Sequence, residues 1–356
     1  MKNLKKEFPV TANYTHLNTA GTGLLSETLL DFRQNHDLDY LVMGSLMKDN
    51  QDKFITKVRE DIGKFFNCKM HNVALVTSFS TGFNILLESL PARSKILLLE
   101  GDYPSINWPV EARDFDICYA KIDEDLEDNI LKAVEKEKPA VLCVSLVQYI
   151  SGVQIDFEFL KKLKIEYPDL LICADGTQYC GVAPFDFENS GIDILGASTY
   201  KWLNAGYGNG FFLFKDAIYD RLKPKAVGFA SIRGKYKEAG NTLIGKFEPG
   251  HLDTLNFGSL QAAIHLVNKI GQTAITAQIE LLKTKALTAF AERNLLDEMV
   301  LKRKQHSSIF NIKGDQKLFE KLKQHDIICS QRGTGIRVSF HYFNTEDDLE
   351  RLLKLI

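Results

Sequence analysis

Long hydrophobic runs and a charge bias are both missing from this sequence of 356 residues. No apolar run approaches the ~20 residues that a bilayer-spanning helix needs, and the N-terminal lysines are not followed by the apolar segment of a secretory signal. The 44 Lys and Arg residues nearly balance the 46 Asp and Glu residues, giving a formal charge of −2. Because a near-neutral chain has no global field to attract nucleic acid or anionic lipid, we expect neither partner.

Cysteine is scarce and shows no metal or disulfide pattern. The chain has six cysteines, at Cys68, Cys118, Cys143, Cys173, Cys180 and Cys329, and none forms a Cys-x-x-Cys pair. Several stand inside strand-like apolar runs, which favours buried free thiols in a reducing cytosol, so we expect a cytoplasmic protein. The His-Glu-x-x-His motif, Cys/His clusters with metal spacing, Walker loops and a Gly-x-Gly-x-x-Gly after a strand are missing as well. We therefore expect no metal.

The first two thirds of the chain alternate short apolar runs with longer amphipathic stretches. Apolar runs rich in Val, Ile, Leu and Phe predict strands at 73–77, 95–99, 117–120, 140–145, 170–174, 194–198 and 210–214. Apolar residues at three- and four-residue spacing predict helices at 81–90, 124–136 and 157–166. Strands without polar alternation are typical of sheets buried on both faces, so this order predicts an α/β fold with a mainly parallel sheet. Ligands of such sheets bind outside the carboxyl ends of the strands.

The pattern changes after about residue 216, and the chain is longer than the ~250–300 residues at which single cores stop growing. Residues 229–256 are rich in Gly, Lys and polar side chains, which predicts an irregular crossing segment. The sequence then predicts helices at 260–270, 275–290, 316–325 and 345–355 and a strand pair at 327–330 and 335–342. We predict an N-terminal arm at 1–15, a large domain at 16–259 and a small C-terminal α+β domain at 260–356.

A lysine that follows a predicted strand is the first candidate for chemistry. Lys201 comes after the apolar run 194–198 and precedes Gly206, Gly208 and Gly210. A surface lysine before a glycine turn explains this pattern as well as a functional one does. In the functional interpretation, the lysine at the strand end forms a Schiff base, and the glycines let the chain turn tightly beneath a cofactor.

A carboxylate follows another predicted strand. The run 170–174 leads directly into Asp175-Gly176-Thr177-Gln178. Asp-Gly is a common turn dipeptide, so a turn alone can explain Asp175. At the carboxyl end of a parallel strand, however, Asp175 would point into the ligand crevice, where a carboxylate can pair with the pyridinium nitrogen of pyridoxal phosphate and keep the ring an electron sink.

Small hydroxyl residues mark a third strand end. Ser80 and Thr81 lie where the strand at 73–77 passes into the helix at 81–90. They can simply cap the helix. The backbone N–H groups and the positive end of the helix dipole also make such a position an anion site, suited to a phosphate.

Taken in order, a Ser/Thr loop, a later aromatic residue, Asp-Gly-x-Gln and Ser-x-x-Lys followed by glycines resemble the class V aminotransferase family of fold-type I pyridoxal-phosphate enzymes. That family includes cysteine desulfurases, kynureninases and isopenicillin N epimerase-like proteins. The resemblance runs from Leu17 to Asp347. It implies an aspartate-aminotransferase-like fold with a mostly parallel seven-stranded sheet in the large domain, pyridoxal 5′-phosphate as cofactor, and a homodimer with a shared active site.

The resemblance also implies roles for individual residues. Lys201 matches the Schiff-base lysine, and Asp175 matches the partner of the ring nitrogen. Cofactor-binding positions of the family correspond to Ser80, Thr81, Tyr103, Asp175, Gln178, Ser198, Tyr200 and Lys201. Tyr103 is similar to the aromatic residue that stacks on the cofactor ring in kynureninases, although a turn aromatic before proline would look the same. Asn18 lies in a stretch that resembles a segment near the substrate, where a plain turn asparagine fits equally well.

The strand at 335–342 carries the residue that the resemblance links to the substrate. Arg337 matches the arginine that grips the substrate's α-carboxylate, a task that suits the two parallel donors of a guanidinium. Ile336, Val338 and Phe340 make one face of this strand apolar, so Arg337 and Ser339 share the other face. An exposed strand arginine is the alternative interpretation.

Three departures from the family pattern bear on the function. His251 stands where the family usually has a threonine that reaches the phosphate of the partner's cofactor, and a solvated loop histidine is the other reading. Tyr200 stands where desulfurases usually have histidine. The segment from Cys329 to Arg337 is too short to hold the mobile cysteine loop of a desulfurase, so Cys329 fits a structural thiol.

The resemblance favours an enzyme, and specifically an aminotransferase acting on an α-amino acid through Lys201. A lyase acting on kynurenine-like or sulfur-containing substrates and an amino-acid epimerase stay open as alternatives, as does a non-catalytic protein of the same fold. The Lys201, Asp175 and Gln178 set argues against the last of these.

Overall fold

The apolar runs that lack polar alternation form the strands of a central sheet. The computed structural model describes residues 4, 6–229, 231 and 243–356. Its strands are β1 (Thr15–His16), β2 (Val73–Val76), β3 (Lys95–Leu99), β4 (Asp116–Ala120), β5 (Val141–Ser145), β6 (Leu171–Asp175), β7 (Ile194–Ser198), β8 (Gly210–Phe214), β9 (Ile309–Ile312), β10 (Ile327–Ile328), β11 (Ser330–Arg332) and β12 (Gly335–Ser339).

The helices cover the sheet and build the C-terminal part of the chain. They are α1 (Glu27–Met43), α2 (Gln51–Phe66), α3 (Phe79–Ser89), α4 (Pro104–Glu111), α5 (Leu126–Glu137), α6 (Phe157–Glu166), α7 (Leu243–Phe247), α8 (Thr254–Ile270), α9 (Gln272–Glu292), α10 (Glu298–Lys302), α11 (Gln316–Gln324) and α12 (Glu346–Leu353). No helix of the described ranges is long and apolar enough to span a bilayer.

The seven strands β2 to β8 form one sheet in the order β2-β8-β7-β6-β5-β3-β4. Strand β8 runs antiparallel to both of its neighbours, and the other pairs in the order β7-β6-β5-β3-β4 are parallel. The predicted fold class, a mostly parallel seven-stranded sheet in an α/β protein, is confirmed. All seven predicted strands are present, with ends that differ by at most one residue from the prediction.

Both faces of this sheet are buried, which explains why its strands lack polar alternation. In β6, Ile172 and Ala174 face one hydrophobic core, while Leu171 and Cys173 face a second core on the opposite side. The sheet is therefore the middle layer of a three-layer structure, and polar side chains are left for the strand ends.

The C-terminal part has its own sheet and core. Strands β11, β12 and β9 form an antiparallel sheet in that order. Its inner face packs on α9 to α12 in a third hydrophobic core that includes Ile336, Val338 and Phe340, the three residues predicted to form one apolar face. The N-terminal residues belong to the same region, since β1 pairs in parallel with β10 and Asn18 forms a bridge to Ser339.

Two local predictions differ from the structure. Residues 229–256 are not irregular throughout, because α7 lies within them and α8 begins at Thr254, where the Asp253 side chain accepts a hydrogen bond from the N–H of Asn256. Residues 230 and 232–242 of that segment lie outside the described residues. The predicted strand at 327–330 is divided, since β10 pairs with β1 and β11 pairs with β12.

The predicted domain boundary at 259/260 falls inside α8, and the division into domains stays a prediction.

Helix α3 packs on the sheet at a point where a glycine faces an aromatic ring. A Cβ atom at Gly82 would lie 2.4 Å from the Phe212 ring in β8, and one at Gly196 would lie 2.5 Å from the same ring. The Phe212 ring stacks on Phe79, the first residue of α3. These two glycines therefore make room for the ring that sets how α3 rests on the sheet.

We predict that Gly82→Ala destabilises the protein by ~1–3 kcal/mol, the usual penalty for overfilling a well-packed core. The added methyl group would displace the Phe212 ring, which is buried on all sides. Gly250→Ala is the matched control, because nothing lies within 4 Å of a Cβ at that position. Thermal and urea unfolding of both variants would measure the effect, and equal stabilities would contradict this account of the packing.

Candidate active site

The carboxyl ends of the parallel strands meet in one crevice. Residues that line it are Tyr103, Ser145, Val147, Tyr149, Asp175, Thr177, Gln178 and Lys201. Asp175 is the last residue of β6, Ser145 is the last residue of β5, and Lys201 follows the end of β7. Four of the predicted site residues, Tyr103, Asp175, Gln178 and Lys201, thus lie together although they are spread over about a hundred positions of the sequence.

The amine of Lys201 is buried without an ionic partner in hydrogen-bonding contact. Its side chain is only 4% exposed, and its Nζ lies 5.4 Å from the centre of the Tyr103 ring and 5.6 Å from that of Tyr200. Among the described residues it makes no hydrogen bond or salt bridge. Burial lowers the pKa of Lys201, the charge of Asp175 opposes that shift, and the charges of Arg337 and Arg332 reinforce it. A buried amine with a lowered pKa is nucleophilic near neutral pH.

The carboxylate of Asp175 is buried in the same crevice. Burial raises its pKa, while hydrogen bonds from Thr177 and the charge of Lys201 favour its ionised form. The backbone N–H of Thr177 donates to Asp175 Oδ1 at 2.8 Å, and the Thr177 hydroxyl accepts from the N–H of Ser198 at 3.0 Å. Thr177 therefore links the ends of β6 and β7 and holds the carboxylate in place.

The N-terminus of α3 opens beside these strand ends. Ser78 caps the helix by accepting a hydrogen bond from the N–H of Thr81, and the Ser198 hydroxyl accepts from the N–H of Phe79 at 2.8 Å. Ser80 lies in the first turn and donates to the hydroxyl of Ser105 at 2.9 Å. The predicted phosphate-loop residues Ser80, Thr81 and Ser198 are thus brought to one helix N-terminus, where backbone donors and the helix dipole favour an anion.

Aromatic rings lie around the amine of Lys201. Tyr103 contacts Tyr149 edge to face, with ring centres 5.1 Å apart, and Tyr200 stacks on Tyr207 at 4.6 Å. Both predicted aromatic residues therefore lie beside Lys201. Tyr149 is a neighbour that the sequence analysis missed, although its place four residues beyond β5 could have indicated it.

Arg337 reaches the crevice from the C-terminal sheet. Its side chain is buried, its Nη1 donates to the carbonyl oxygen of Tyr149 at 2.8 Å, and its Nε has no hydrogen-bond partner among the described residues. Burial lowers the pKa of Arg337 to about 10, and the charge of Arg332 adds to that effect. At neutral pH the guanidinium is still charged and has a donor to spare for a ligand.

Asn18 and Gln178 connect the crevice to the N-terminal segment. Asn18 Oδ1 is buried and has no hydrogen-bond partner in the described part of the chain, so this side chain also has bonding capacity left. The Gln178 amide instead donates to the carbonyl oxygen of Ala20 at 3.0 Å and accepts from the indole N–H of Trp202 at 2.8 Å. Gln178 thus supports the residue next to Lys201, an arrangement that the sequence analysis did not predict.

Asp102, which was not predicted from the sequence, holds two strand ends together. Its carboxylate accepts hydrogen bonds from the N–H groups of Tyr103 at 2.7 Å and Ser145 at 2.9 Å, and burial raises its pKa. An acidic residue three positions after a buried strand was the available signal. Asp102 is not among the residues that line the crevice, so it positions Tyr103 from outside.

Two residues that depart from the family pattern lie differently. His251 is exposed and stacks on Phe229, with ring centres 5.5 Å apart. Cys329 is half-buried between β10 and β11, and burial raises the pKa of its thiol to about 11. A thiol in that state is a poor nucleophile at neutral pH.

A sequence model of the family described as aminotransferase class V matches residues 17–352. The chain therefore belongs to the class V aminotransferase family, and it is an enzyme of this pyridoxal-phosphate family. The predicted family is confirmed, and so is the predicted cofactor, pyridoxal 5′-phosphate.

Relatives of the chain carry several different activities in their names. An uncharacterized aminotransferase, YcbU, of Bacillus subtilis is 24% identical over 97% of this chain and 94% of its own length. A probable cysteine desulfurase of Mycoplasma genitalium is 24% identical over 99% of this chain and 93% of its own. Kynureninase of Saccharomyces cerevisiae is 26% identical over 46% of this chain and 40% of its own.

Solved structures show the same fold. The cystine C–S lyase C-DES, in complex with cysteine persulfide, superposes with a TM-score of 0.87 at 20% identity, over 98% of both chains. A variant of C-DES with glycine covalently linked to its pyridoxal-phosphate cofactor has a TM-score of 0.85 at 18% identity, over 99% of this chain and 98% of that one.

We predict that Thr177→Val raises the pKa of Asp175 by about one unit, since a hydrogen bond to a charged group contributes ~1.5 kcal/mol and one unit corresponds to 1.36 kcal/mol. The hydroxyl favours the ionised carboxylate, so its removal favours protonation. NMR titration of ¹³C-labelled aspartate carboxyls would measure the shift. Thr177→Ser keeps the hydroxyl and should titrate like the parent protein, whereas coincident curves for the valine variant would contradict the role.

Proposed function

We propose that this family member is an aminotransferase acting on an α-amino acid. The observation that carries the proposal is the partly unpaired, buried guanidinium of Arg337, which bonds the carbonyl oxygen of Tyr149 beside the crevice that holds the buried amine of Lys201. An amine suited to amino-group exchange and a guanidinium suited to a carboxylate are the two recognition elements that an α-amino acid requires.

The residues of the crevice fit pyridoxal phosphate. Lys201 would hold the cofactor through its amine, and Asp175 would pair with the ring nitrogen. Tyr103 would pack on the ring, and Ser80, Thr81 and the α3 N-terminus would receive the phosphate. Ser198 and Tyr200, which precede Lys201, and Gln178, which bonds the indole of Trp202, are proposed to support the cofactor. When bound, the cofactor supplies the electron sink that stabilises negative charge at the substrate's α-carbon.

The protein's own groups would then orient the substrate and move one proton. Arg337 would fix the α-carboxylate and Asn18 would add a polar contact, so that the bond to the departing proton stands across the ring plane. Once the substrate amine has displaced Lys201, its Nζ would accept this proton from the substrate's α-carbon. The same Nζ would then donate the proton to a second position in the site. The lowered pKa of Lys201 favours the neutral amine that this task needs.

A C–S lyase is the second candidate, because C-DES matches the fold over 98% of both chains. A desulfurase that forms a persulfide on its own cysteine is disfavoured, since the segment from Cys329 to Arg337 is too short for a mobile cysteine loop and burial raises the pKa of the Cys329 thiol. A lyase and an aminotransferase differ in one measurable requirement, the need for a 2-oxo acid as amino-group acceptor.

The decisive experiment incubates the cofactor-loaded enzyme with a panel of α-amino acids, with and without added 2-oxo acids. For an aminotransferase we expect 2-oxo acid release that stops at the number of active sites without an acceptor and continues when one is added. Release of ammonia, sulfide or alanine that continues without an acceptor would contradict transamination and support the lyase.

Two variants serve as controls in this assay. Lys201→Ala should abolish product formation while the fold persists. Arg337→Lys should weaken amino-acid binding by ~1–3 kcal/mol, the scale of a lost charge-assisted hydrogen bond, without releasing the cofactor. An unchanged KM in Arg337→Lys would contradict the proposed contact between Arg337 and the substrate's α-carboxylate.

A homodimer is also proposed. The end of α1 and the turn after it present clustered large apolar side chains to the surface, namely Leu38, Tyr40, Leu41, Val42 and Leu46. Leu41 and Val42 are 80% and 83% exposed. A cluster of this kind is typical of an association surface, which supports the resemblance-based proposal of two copies with a shared active site.

We expect the double variant Leu41→Glu, Val42→Lys to sediment as a lighter species than the parent protein at equal concentration, because charged groups would have to be buried between the copies. Ile165→Lys is the control, since Ile165 is 81% exposed but lies on α6, away from this cluster. Identical sedimentation of all three proteins would count against this surface as the interface.

A further inference from the structure

One face of the C-terminal sheet carries a row of polar residues that includes Arg337. In the strand register, Arg337 of β12 stands opposite Ser330 of β11 and opposite Asn311 of β9. Side chains of directly paired residues lie on the same face of a sheet, so these three share the face that carries Arg337. The opposite face is the apolar one that packs into the C-terminal core.

Each member of this row has a buried polar atom without a hydrogen-bond partner among the described residues. These atoms are Ser330 Oγ, Arg337 Nε and Asn311 Oδ1. Buried polar atoms are rarely left unpaired in native proteins, and three such atoms on adjacent strands are unusual. These three atoms can therefore form hydrogen bonds with a bound molecule, as the polar atoms of a ligand-binding surface do.

A second arginine lies on the same face, nearer the solvent. Arg332 is two residues along β11 from Ser330 and pairs with Gly335, which makes it the diagonal neighbour of Arg337 at ~7–8 Å between backbones. Gly333, at the tip of this hairpin, lies against Ile150, the residue after Tyr149. The hairpin tip is thus next to the loop that borders the crevice.

Arg332 has no anionic partner within the described residues. Its guanidinium makes one hydrogen bond, to the carbonyl oxygen of the adjacent Gln331 at 3.3 Å, and forms no salt bridge. Its charge is nevertheless close enough to lower the pKa values of both Lys201 and Arg337. Two guanidinium groups thus lie close enough to Lys201 to lower its pKa, while a substrate with one carboxylate can neutralise only one of them.

We propose that Arg332 binds a second anionic group on the substrate, so that the preferred α-amino acid has an acidic side chain. Arg337 takes the α-carboxylate, Arg332 takes the side-chain anion at the rim, and the polar atoms of Ser330 and Asn311 lie beside them. This inference rests on the proposed action on an α-amino acid and adds the substrate class. It assigns Arg332 as a specificity-determining residue that takes no part in the proton transfer.

The test compares kcat/KM for aspartate, glutamate and cysteate with kcat/KM for asparagine and glutamine, which match the first two in size without the charge. We expect the parent enzyme to prefer the acidic substrates. Arg332→Gln should reduce that preference about 10- to 100-fold, as one lost charge-assisted contact does, with a much smaller change in the rates with the two amides. Arg332→Lys should restore part of the preference.

Arg293→Gln is the matched control, because Arg293 is also exposed and also bonds a single backbone carbonyl, at the end of α9. It should leave all five rates as they are. An Arg332→Gln variant that changes nothing, or lowers all five rates equally, would overturn the inference. Failure of the parent enzyme to release 2-oxo acid from any amino acid would instead refute the proposed function on which the inference rests.

Discussion

The site depends on one constraint. The ammonium of Lys201 and the carboxylate of Asp175 are both withdrawn from water at the carboxyl ends of adjacent strands. Removing an ammonium and a carboxylate from water costs several kcal/mol for each ion. The protein offsets this at Asp175 with the N–H and hydroxyl of Thr177, and at Lys201 with the rings of Tyr103 and Tyr200. Neither compensation is complete, and the shifted pKa values of both groups reflect that remaining cost.

The N-terminal segment connects the two sheets around this pair. Residues Thr15 and His16 pair with β10, and the N–H of Ala20 donates to the Ser339 hydroxyl at 3.0 Å. The carbonyl oxygen of Ala20 accepts from Gln178 on the other side. A short chain of hydrogen bonds therefore runs from the loop of Asp175 to the strand of Arg337, which couples the placement of the proposed substrate arginine to that of the proposed cofactor partner.

The sequence was sufficient to predict those strands and helices whose formation depends on residues close together in the chain. The seven central strands could be predicted because burial on both faces imposes uninterrupted apolar runs, and α3 could be predicted because its apolar residues follow the helical period. The start of α8 was missed although Asp253 is a good N-cap, since its polar neighbours look like loop. Strand β10 was assigned to the wrong partner because two residues hold too little pattern to specify pairing.

The sequence by itself determined the strand and helix order, the apolar face of β12, the placement of Lys201 and Asp175 at strand ends, and the family. Those features depend on residues that are neighbours along the chain or repeat at a fixed period. Only the tertiary structure decided that β8 inserts antiparallel between β2 and β7, that Gln178 bonds Ala20 and Trp202, and that Arg337 stands between Ser330 and Asn311 with polar atoms unpaired. These arrangements join residues distant in sequence, and their energies come from packing and desolvation that arise when the elements assemble.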